Sequence, residues 1–502
     1  MASQVTAGPA VEDGGAPGIS AKYEAVIGLE VHAQLLTESK MFCGCRADYA
    51  QMPPNTNVCP VCMGLPGALP VMNRKAVEYT ILTALALNCT IPEESKFDRK
   101  NYFYPDLPKG YQISQYDMPL SLNGHLSFEL EGRRVRAGIT RVHLEEDTGT
   151  LQHAGSVLHT AASSAIDYNR CGVPLMEIVG EPDLRSAEEA REYLVRLRQI
   201  LTYLGVNDGN LETGSMRCDA NVSLRPPGDS QLGVKVEIKN MNSFRAVHRA
   251  IQYEIARQAG LLDMGEKPLQ ETRGWVETES RTVSQRTKEY AADYRYFPEP
   301  DLPPLQISRQ LVEEITSQMP ELPEQKAARL VTQFGLSSYE AGVLTATRAS
   351  ADTFEAVVAG GLPPQAASRW LLGDVAKLET EHRTRLAESG LGVAGLVRLG
   401  NLVEKGSING TTAKALLEEL FLSGGDLDDL VQSRGLSMVS DAAELRRMAE
   451  EVIAANPKSV ADFQGGKEAA LQSLVGGVMK LTRGRADARA VTQLLRELLS
   501  AE

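Results

Sequence analysis

The chain has 502 residues, 43% of them hydrophobic, and a formal net charge of −13 at pH 7. This length predicts about three domains, and no apolar run approaches the ~18 residues that a membrane-spanning helix needs. The acidic balance argues against a protein that coats nucleic acid through bulk charge, although a local basic patch is compatible with it. Seven cysteines, four of them bunched between Cys43 and Cys62, favour a reduced, cytoplasmic protein over a disulfide framework.

The first 21 residues contain neither Lys nor Arg and are rich in Ala, Gly and Pro. They predict a disordered tail rather than a secretion signal or a transit peptide. From residue 25 to about 236, short β-branched runs with two-residue alternation predict strands, interrupted by a helix at 185–204. These elements predict an α+β fold whose first domain is built on a largely antiparallel sheet.

Two short cysteine pairs, Cys43-Gly-Cys45 and Cys59-Pro-Val-Cys62, are separated by thirteen residues. Thiolates at this spacing can close tetrahedrally on one Zn²⁺ ion. Four cysteine ligands leave no open coordination position, so the pattern predicts a structural rather than a catalytic zinc site. The alternative is four ordinary reduced cysteines.

The run from Phe97 to Pro119 contains six aromatic residues and several cations, and neither helical nor strand periodicity organises it. Rings can stack on bases and cations can meet phosphates, which favours a ligand-contacting wall. A well-packed tyrosine-rich loop is the alternative. The candidate contact residues are Arg99, Lys100, Tyr102, Tyr104 and Lys109.

Four predicted strands each place at least one carboxylate on their polar face. If these strands share one sheet, the carboxylates and one imidazole converge on a site for Mg²⁺ or Mn²⁺ beside cations, which suits ATP phosphates. The alternative is the solvated outer face of a one-sided sheet. The candidates are Glu30 and His32 in 26–35, Glu145 or Glu146 in 139–147, Arg217 and Asp219 in 215–224, and Lys235, Glu237 and Lys239 in 234–239. Glu177, in a predicted strand, is either a further acidic wall residue or a structural one.

Beyond the proline-rich passage 297–304 the pattern becomes helical. The predicted helices lie at 311–318, 324–334, 366–378, 396–405, 411–421, 441–455, 467–481 and 488–499. Near the C-terminus, Lys480, Arg483, Arg485 and Arg489 form a small basic patch, for which a solvated helix end is the alternative. The sequence lacks a phosphate-binding P-loop, a Gly-x-Gly-x-x-Gly turn and a Gly-x-Ser-x-Gly elbow, which disfavours Rossmann cofactor chemistry and serine hydrolysis.

Several long motifs, in this order, closely resemble the B subunits of the bacterial tRNA-dependent amidotransferases. They are Gly28-Leu-Glu-Val-His32, 97–106 with Tyr111-Gln-Ile-Ser-Gln-Tyr116, His143-Leu-Glu-Glu-Asp147, Arg217-Cys-Asp-Ala-Asn221, Glu237-Ile-Lys-Asn-Met-Asn-Ser-Phe244 and 293–302. The resemblance runs from about residue 23 to the C-terminus. It implies a protein that uses ATP and Mg²⁺ to convert the side-chain carboxylate of misacylated Glu-tRNA(Gln) or Asp-tRNA(Asn) to an acyl phosphate, which ammonia attacks.

The resemblance also implies partners and domains. Ammonia would come from the amidase, or A, subunit of a heterotrimer whose third member is the small C subunit. The catalytic cradle domain, similar to glutamine synthetase, would span 22–300 with the zinc insertion at 43–62. An all-α helical domain would span 301–405, and a YqeY-like, tRNA-binding, all-α tail would span 406–502, with Lys480 and Arg483 among its contacts.

The resemblance assigns roles to the candidate residues. Glu30, His32, Glu145 and Glu146 would handle metal or phosphate, with Asp219 and Glu237 next, and the expected Mg²⁺ ligands are His32, Glu145, Glu146, Asp219 and Glu237. Lys239 would offset phosphoryl charge, with Arg217 and Lys235 as alternatives. The segment 466–475 departs from the family pattern in its basic and small residues. A noncatalytic, zinc-containing RNA-binding scaffold is the competing hypothesis.

Overall fold

The computed structural model describes residues 22–153, 163–287, 294–438, 441–482 and 484–500. The predicted tail at 1–21 and the predicted tRNA contact Arg483 lie outside these residues. Contacts divide the chain after Leu322 into two compact units. Within the described ranges, no helix is both long and apolar enough to cross a membrane.

The described part of the first unit combines strands with four helices of known bounds, and its elements follow in chain order. The strands are β1 (Glu24–Gln34), β2 (Glu94–Ser95), β3 (Asp98–Asn101), β4 (Tyr111–Ser114), β5 (Ser121–Leu130), β6 (Arg133–Glu146), β7 (Thr150–His153), β8 (Ser164–Asp167), β9 (Pro174–Gly180), β10 (Met216–Arg225), β11 (Val236–Lys239), β12 (Glu271–Val276), β13 (Arg281–Thr287), β14 (Phe297–Pro298) and β15 (Leu305–Gln306). The helices are α1 (Arg74–Ala86), α2 (Ala187–Leu204), α3 (Phe244–Asp263) and α4 (Arg309–Ser317).

The central sheet has eight strands in the order β13-β12-β11-β10-β1-β9-β6-β5. Its neighbouring strands are antiparallel, except that β11 and β12 are parallel. Helices α1, α2 and α3 pack on its strands. The predicted α+β fold with a largely antiparallel sheet is therefore confirmed.

Alternation along β1 explains why this sheet has two different faces. Ile27, Leu29 and Val31 are buried in the apolar core, whereas Glu30 and His32 on the opposite face are only partly buried. Successive side chains of a strand point to opposite faces, so an alternating sequence buries one face and leaves a polar one. The alternating pattern of β10 is buried in the same way.

The aromatic run forms regular structure that its pattern does not predict. Strands β3 and β4 pair with each other, and β14 pairs with β3, in a small three-stranded sheet. Helices α1 and α3 also lie outside the predicted elements. The N-terminus of α1 is capped by the side chain of Asn73 and that of α3 by Ser243, both favoured capping residues.

The second unit is helical, as predicted. Its helices are α5 (Pro323–Phe334), α6 (Ser338–Leu344), α7 (Arg348–Ala359), α8 (Pro364–Trp370), α9 (Ala376–His382), α10 (Gly392–Glu404), α11 (Gly410–Ser423), α12 (Leu427–Ser433), α13 (Ala442–Ala455), α14 (Pro457–Gln464), α15 (Ala469–Leu481) and α16 (Ala488–Ser500). A π-helical segment, Leu371–Val375, joins α8 to α9. Two separate apolar clusters form its core, one between Leu330 and Val431 and the other between Leu445 and Leu499.

Candidate active site

One row of side chains crosses the polar face of the central sheet. Arg217 in β10 lies opposite His32 in β1, His32 lies opposite Glu177 in β9, and Glu177 lies opposite His143 in β6. Directly opposed residues of antiparallel strands have neighbouring side chains. The strand order therefore brings together four polar residues that are far apart in the sequence.

Three side chains on this face form a compact acidic cluster. The Nε2 atom of His32 lies 3.7 Å from Oε1 of Glu145 and 3.6 Å from Oε2 of Glu177. One ligand atom from each residue lies within 4.8 Å of the other two. Two carboxylates and an imidazole at this spacing fit one divalent cation, and hard oxygen donors suit Mg²⁺ or Mn²⁺. We call His32, Glu145 and Glu177 the triad.

The charges in the triad support each other. Burial raises the pKa of Glu177, but the adjacent His143 and His32 lower it by more than burial raises it. The net result is a pKa well below the usual range for a glutamate. Burial lowers the pKa of His32, whereas the charges of Glu177 and Glu145 raise it above the ordinary value. The neighbours that favour a proton on His32 can also attract a divalent cation, which would take the place of that proton.

Glu145 and Glu146 point to opposite faces of β6. Glu145 belongs to the triad, and its Oε2 atom accepts a hydrogen bond from Ser114 Oγ at 3.2 Å. Glu146 pairs with the buried Lys109 and accepts a hydrogen bond from the Ile113 backbone N–H at 3.0 Å. The two adjacent acids therefore lie in different environments.

The other predicted metal ligands gather around a lysine. Lys239 pairs with Asp219 and lies 3.3 Å from Oε1 of Glu237. The Thr272 hydroxyl donates to Glu237 at 2.7 Å. Of the five expected Mg²⁺ ligands, the structure brings together His32 and Glu145, places Glu146 on the other face, and places Asp219 and Glu237 around Lys239.

Glu30 lies beside this second acidic group. It is directly opposite Asp219 in the pairing of β1 with β10, and it accepts a hydrogen bond from Asn221 Nδ2 at 2.9 Å. Lys235 is exposed and precedes β11. Of the three cations that the sequence left as alternatives, Arg217 and Lys239 lie on the polar face within strands.

Lys100 and Arg217, two of the predicted cations, differ in the groups that surround them. Burial lowers the pKa of Lys100, but the nearby charges of Glu145 and Glu177 outweigh it and raise that pKa above the usual range. Arg217 donates to the buried Asp147 at 2.9 Å, and its Nε atom is buried without a hydrogen-bond partner in the described part of the chain. Both cations thus border the triad.

The predicted aromatic wall is partly anchored and partly exposed. Arg99 makes two hydrogen bonds to the buried Glu299, at 2.7 and 2.8 Å, and so fastens β3 to the segment at β14. The hydroxyl of Tyr102 donates to Gln112 at 3.3 Å. Tyr104 is 52% exposed, and Tyr116 stacks on Tyr296 with ring centroids 4.2 Å apart.

Sequence reasoning left Glu177 open and gave His143 no role. Glu177 lies on β9, which is also buried at Leu175, Met176 and Ile178 and so shows no polar face in the sequence. The signal that identifies Glu177 is its position between two histidines on neighbouring strands. That signal exists only once the strand order is known.

The four cysteines of the 43–62 insertion also meet. One sulfur from each of Cys43, Cys45, Cys59 and Cys62 lies within 4.8 Å of the others. Hydrogen bonding from Cys43 lowers the pKa of the Cys62 thiol, although burial raises it. The Cys59 backbone N–H points at the Cys62 sulfur at 3.1 Å, and the buried Lys40 lies 3.9 Å from it. The hydrogen bond with Cys62 raises the pKa of the Cys43 thiol, and burial raises that of Cys45, so these surroundings favour the thiolate at Cys62 alone. Four sulfurs within reach of one another match the tetrahedral ligand number of Zn²⁺.

The basic patch of the tail is less free than its sequence suggests. Arg485 donates to the backbone carbonyls of Gly435 at 2.6 Å and Thr482 at 3.1 Å. Within the described part of the chain, no such backbone contact holds the side chains of Lys480 and Arg489, and both residues are exposed.

Comparisons with known proteins identify the family to which this chain belongs. Residues 25–313 match the family described as GatB/GatE catalytic domain, and residues 352–499 match the GatB domain. The chain is 53% identical over 479 residues to the aspartyl/glutamyl-tRNA(Asn/Gln) amidotransferase B subunit of Thermomicrobium roseum, with 95% of this chain and 99% of that protein covered. The B subunit of Carboxydothermus hydrogenoformans is 51% identical over 479 residues, with the same coverage. The chain therefore belongs to the family of aspartyl/glutamyl-tRNA(Asn/Gln) amidotransferase B subunits.

Proposed function

We propose that this chain is the ATP-using member of a glutamine-dependent amidotransferase that converts Glu-tRNA(Gln), Asp-tRNA(Asn) or both to the correctly amidated tRNA. The observation that carries the proposal is the triad of His32, Glu145 and Glu177 on the sheet of a GatB/GatE catalytic domain. A binding scaffold has no need for two buried carboxylates and an imidazole within reach of one cation. Handling of nucleotide phosphates does need them.

The proposed reaction has two steps, because a carboxylate is a poor electrophile. An oxygen of the tRNA-borne carboxylate attacks the γ-phosphorus of ATP, and ADP leaves with the electrons of the broken bond. Ammonia then attacks the acyl carbon, phosphate leaves, and a proton is lost from nitrogen to give the amide. A Mg²⁺ ion held by the triad would neutralise charge on the phosphate oxygens.

Residues around the triad suit the charged stages of this reaction. Lys100 and Arg217 border the triad, and the buried Nε–H of Arg217 has no partner within the described ranges. A fixed donor of this kind can meet a phosphate oxygen without reorganising. Lys239, between Asp219 and Glu237, is a third cation for this role. The exposed Tyr104 is a candidate contact for the nucleotide or the tRNA acceptor end.

The remaining parts receive supporting roles. The four cysteines would hold a structural Zn²⁺ ion, since four thiolates leave no open position. The helical tail would contact the tRNA, with Lys480, in the last turn of α15, as one candidate residue. Ammonia would come from a partner amidase, the A subunit of a heterotrimer that also contains the small C subunit, because the sequence has no glutaminase signature of its own.

The test uses the assembled amidotransferase and misacylated tRNA. We expect His32→Ala and Glu177→Gln to abolish tRNA-dependent phosphate release from ATP and formation of Gln-tRNA(Gln), while tRNA binding and assembly with the partner subunits persist. The measurements are phosphate release, amidated tRNA by chromatography, and tRNA binding by filter retention.

His125→Ala is the matched control, because this histidine lies on β5 outside the triad. It should leave all three measurements unchanged. Normal amidation by His32→Ala and Glu177→Gln would contradict the proposal and favour the noncatalytic RNA-binding scaffold.

A further inference from the structure

His143 extends the triad by one strand without joining it. Its imidazole is buried, with 2% of the residue exposed, and its Nε2 atom lies 3.1 Å from Oε2 of Glu177. Among the described residues, the group whose ligand atoms all lie within 4.8 Å of one another contains His32, Glu145 and Glu177 but not His143. His143 therefore contacts a triad carboxylate from the strand on the other side of β9 from His32.

The other ring nitrogen of His143 fixes the position of its proton. Arg141, two residues earlier on the same face of β6, donates from Nε to Nδ1 of His143 at 3.3 Å. A guanidinium is always protonated and can only donate. Nδ1 must accept this hydrogen bond, which leaves Nε2 as the ring nitrogen that carries a hydrogen and donates it to Glu177.

We propose that His143 is a positioning residue that orients Glu177 for the divalent cation, with Arg141 holding its tautomer. The inference rests on the proposed function, because it assumes that the triad binds the cation. A hydrogen bond from outside the ligand set restricts the rotation of a carboxylate and so fixes the direction of its oxygens. Without that bond, Glu177 would have to be ordered when the cation binds, at a cost in affinity.

The placement of His143 separates this role from two others. Its burial argues against direct contact with tRNA or nucleotide. The relay from Arg141 through His143 to Glu177 is polar at each step, which distinguishes it from core packing. Residues that orient metal ligands in this way commonly change metal affinity by about 10- to 100-fold when they are removed.

The test measures binding of Mn²⁺ alone to the full chain, by the loss of its free electron paramagnetic resonance signal. We expect His143→Leu to raise the dissociation constant for Mn²⁺ by about 10- to 100-fold. His143→Gln should stay within about threefold of the wild type, because the Gln amide can donate to Glu177 from nearly the same position. His125→Leu is the matched control and should bind as the wild type does.

Three results would overturn the inference. One is wild-type Mn²⁺ affinity in His143→Leu. Another is loss of binding in folded His143→Gln as complete as in His143→Leu, which would make His143 a direct ligand or a packing residue. If His143→Leu fails to fold, Arg141→Met replaces it, and its Mn²⁺ affinity should fall by less than that expected for His143→Leu. The third contradicting result is wild-type Mn²⁺ affinity in Arg141→Met.

His32→Ala distinguishes failure of the inference from failure of the proposed function. If His32→Ala loses Mn²⁺ binding but His143→Leu does not, the triad stands and only the role of His143 fails. If His32→Ala binds Mn²⁺ as the wild type does, the cation site itself is wrong.

Discussion

At the residue scale, a shift of one position along a strand decides what a carboxylate can do. Glu145 belongs to the triad, whereas Glu146 contacts Lys109 and the Ile113 backbone amide on the other side of β6. On the resemblance to the amidotransferase family, both residues were expected to handle metal or phosphate. Because side chains alternate between the faces of a strand, the two acids are expected to respond differently to the same substitution.

We predict that Glu145→Gln lowers the Mn²⁺ affinity of the chain at least ~100-fold, since loss of a ligand should exceed loss of an outer contact. Glu146→Gln should leave that affinity within about threefold but lower the free energy of unfolding by ~3 kcal/mol, because it strands the buried Lys109 charge. Metal titration and urea denaturation measure the two effects. Equal loss of Mn²⁺ affinity in both variants would contradict the assignment.

At the element scale, a few hydrogen bonds from residues outside it hold the 43–62 insertion in place. Its backbone is tied to the residues after β8, because Asn169 accepts from the Asn57 amide at 2.7 Å and donates to the Pro53 carbonyl at 2.7 Å. Lys40 donates to the Asn57 carbonyl at 2.8 Å. The insertion contains little regular structure, so a metal would supply much of its local order.

We predict about one Zn per chain in freshly purified protein, as measured by atomic emission. Cys59→Ser combined with Cys62→Ser should abolish it and speed proteolysis within 43–62, because the tetrahedral ligand set is lost. Mn²⁺ binding at the triad should persist, since no cysteine belongs to that cluster. Cys89→Ser, a buried cysteine outside the insertion, is the control and should retain zinc. Absence of zinc from unchelated wild-type protein would refute the assignment.

At the scale of the whole molecule, the compact unit that contains the central sheet includes residues beyond 300. Ile307 and Ile315 are buried in the same core cluster as the central sheet, with 4% and 6% of each residue exposed. The contacts divide the chain after Leu322. The helices from α5 onward have their own apolar clusters.

We predict that a fragment of residues 1–322 is more stable than one of residues 1–300 by about 3–6 kcal/mol, because the longer fragment buries both isoleucines. Residues 323–502 alone should fold to a helical protein with a cooperative melt. Urea denaturation followed by circular dichroism measures both outcomes. Equal stability of the two N-terminal fragments would contradict the boundary after Leu322.

The sequence by itself determined the features that depend on residues close together in the chain. Alternation in β1 and β10 identified the polar face that carries Glu30, His32, Arg217 and Asp219, and helical periodicity identified the second half as helical. The cysteine spacing identified a set of four sulfurs that the fold brings together. Each of these signals repeats within a few residues along the chain.

Only the tertiary structure decided which polar residues become neighbours. The order β10-β1-β9-β6 placed Glu177 between His32 and His143. Strand pairing and packing placed Asp219 and Glu237 around Lys239. Strand order and register come from non-local pairing and packing, which no local pattern records. For that reason the sequence predicted which kinds of residue could form a cation site, whereas the sheet determined which of them lie close enough together to do so.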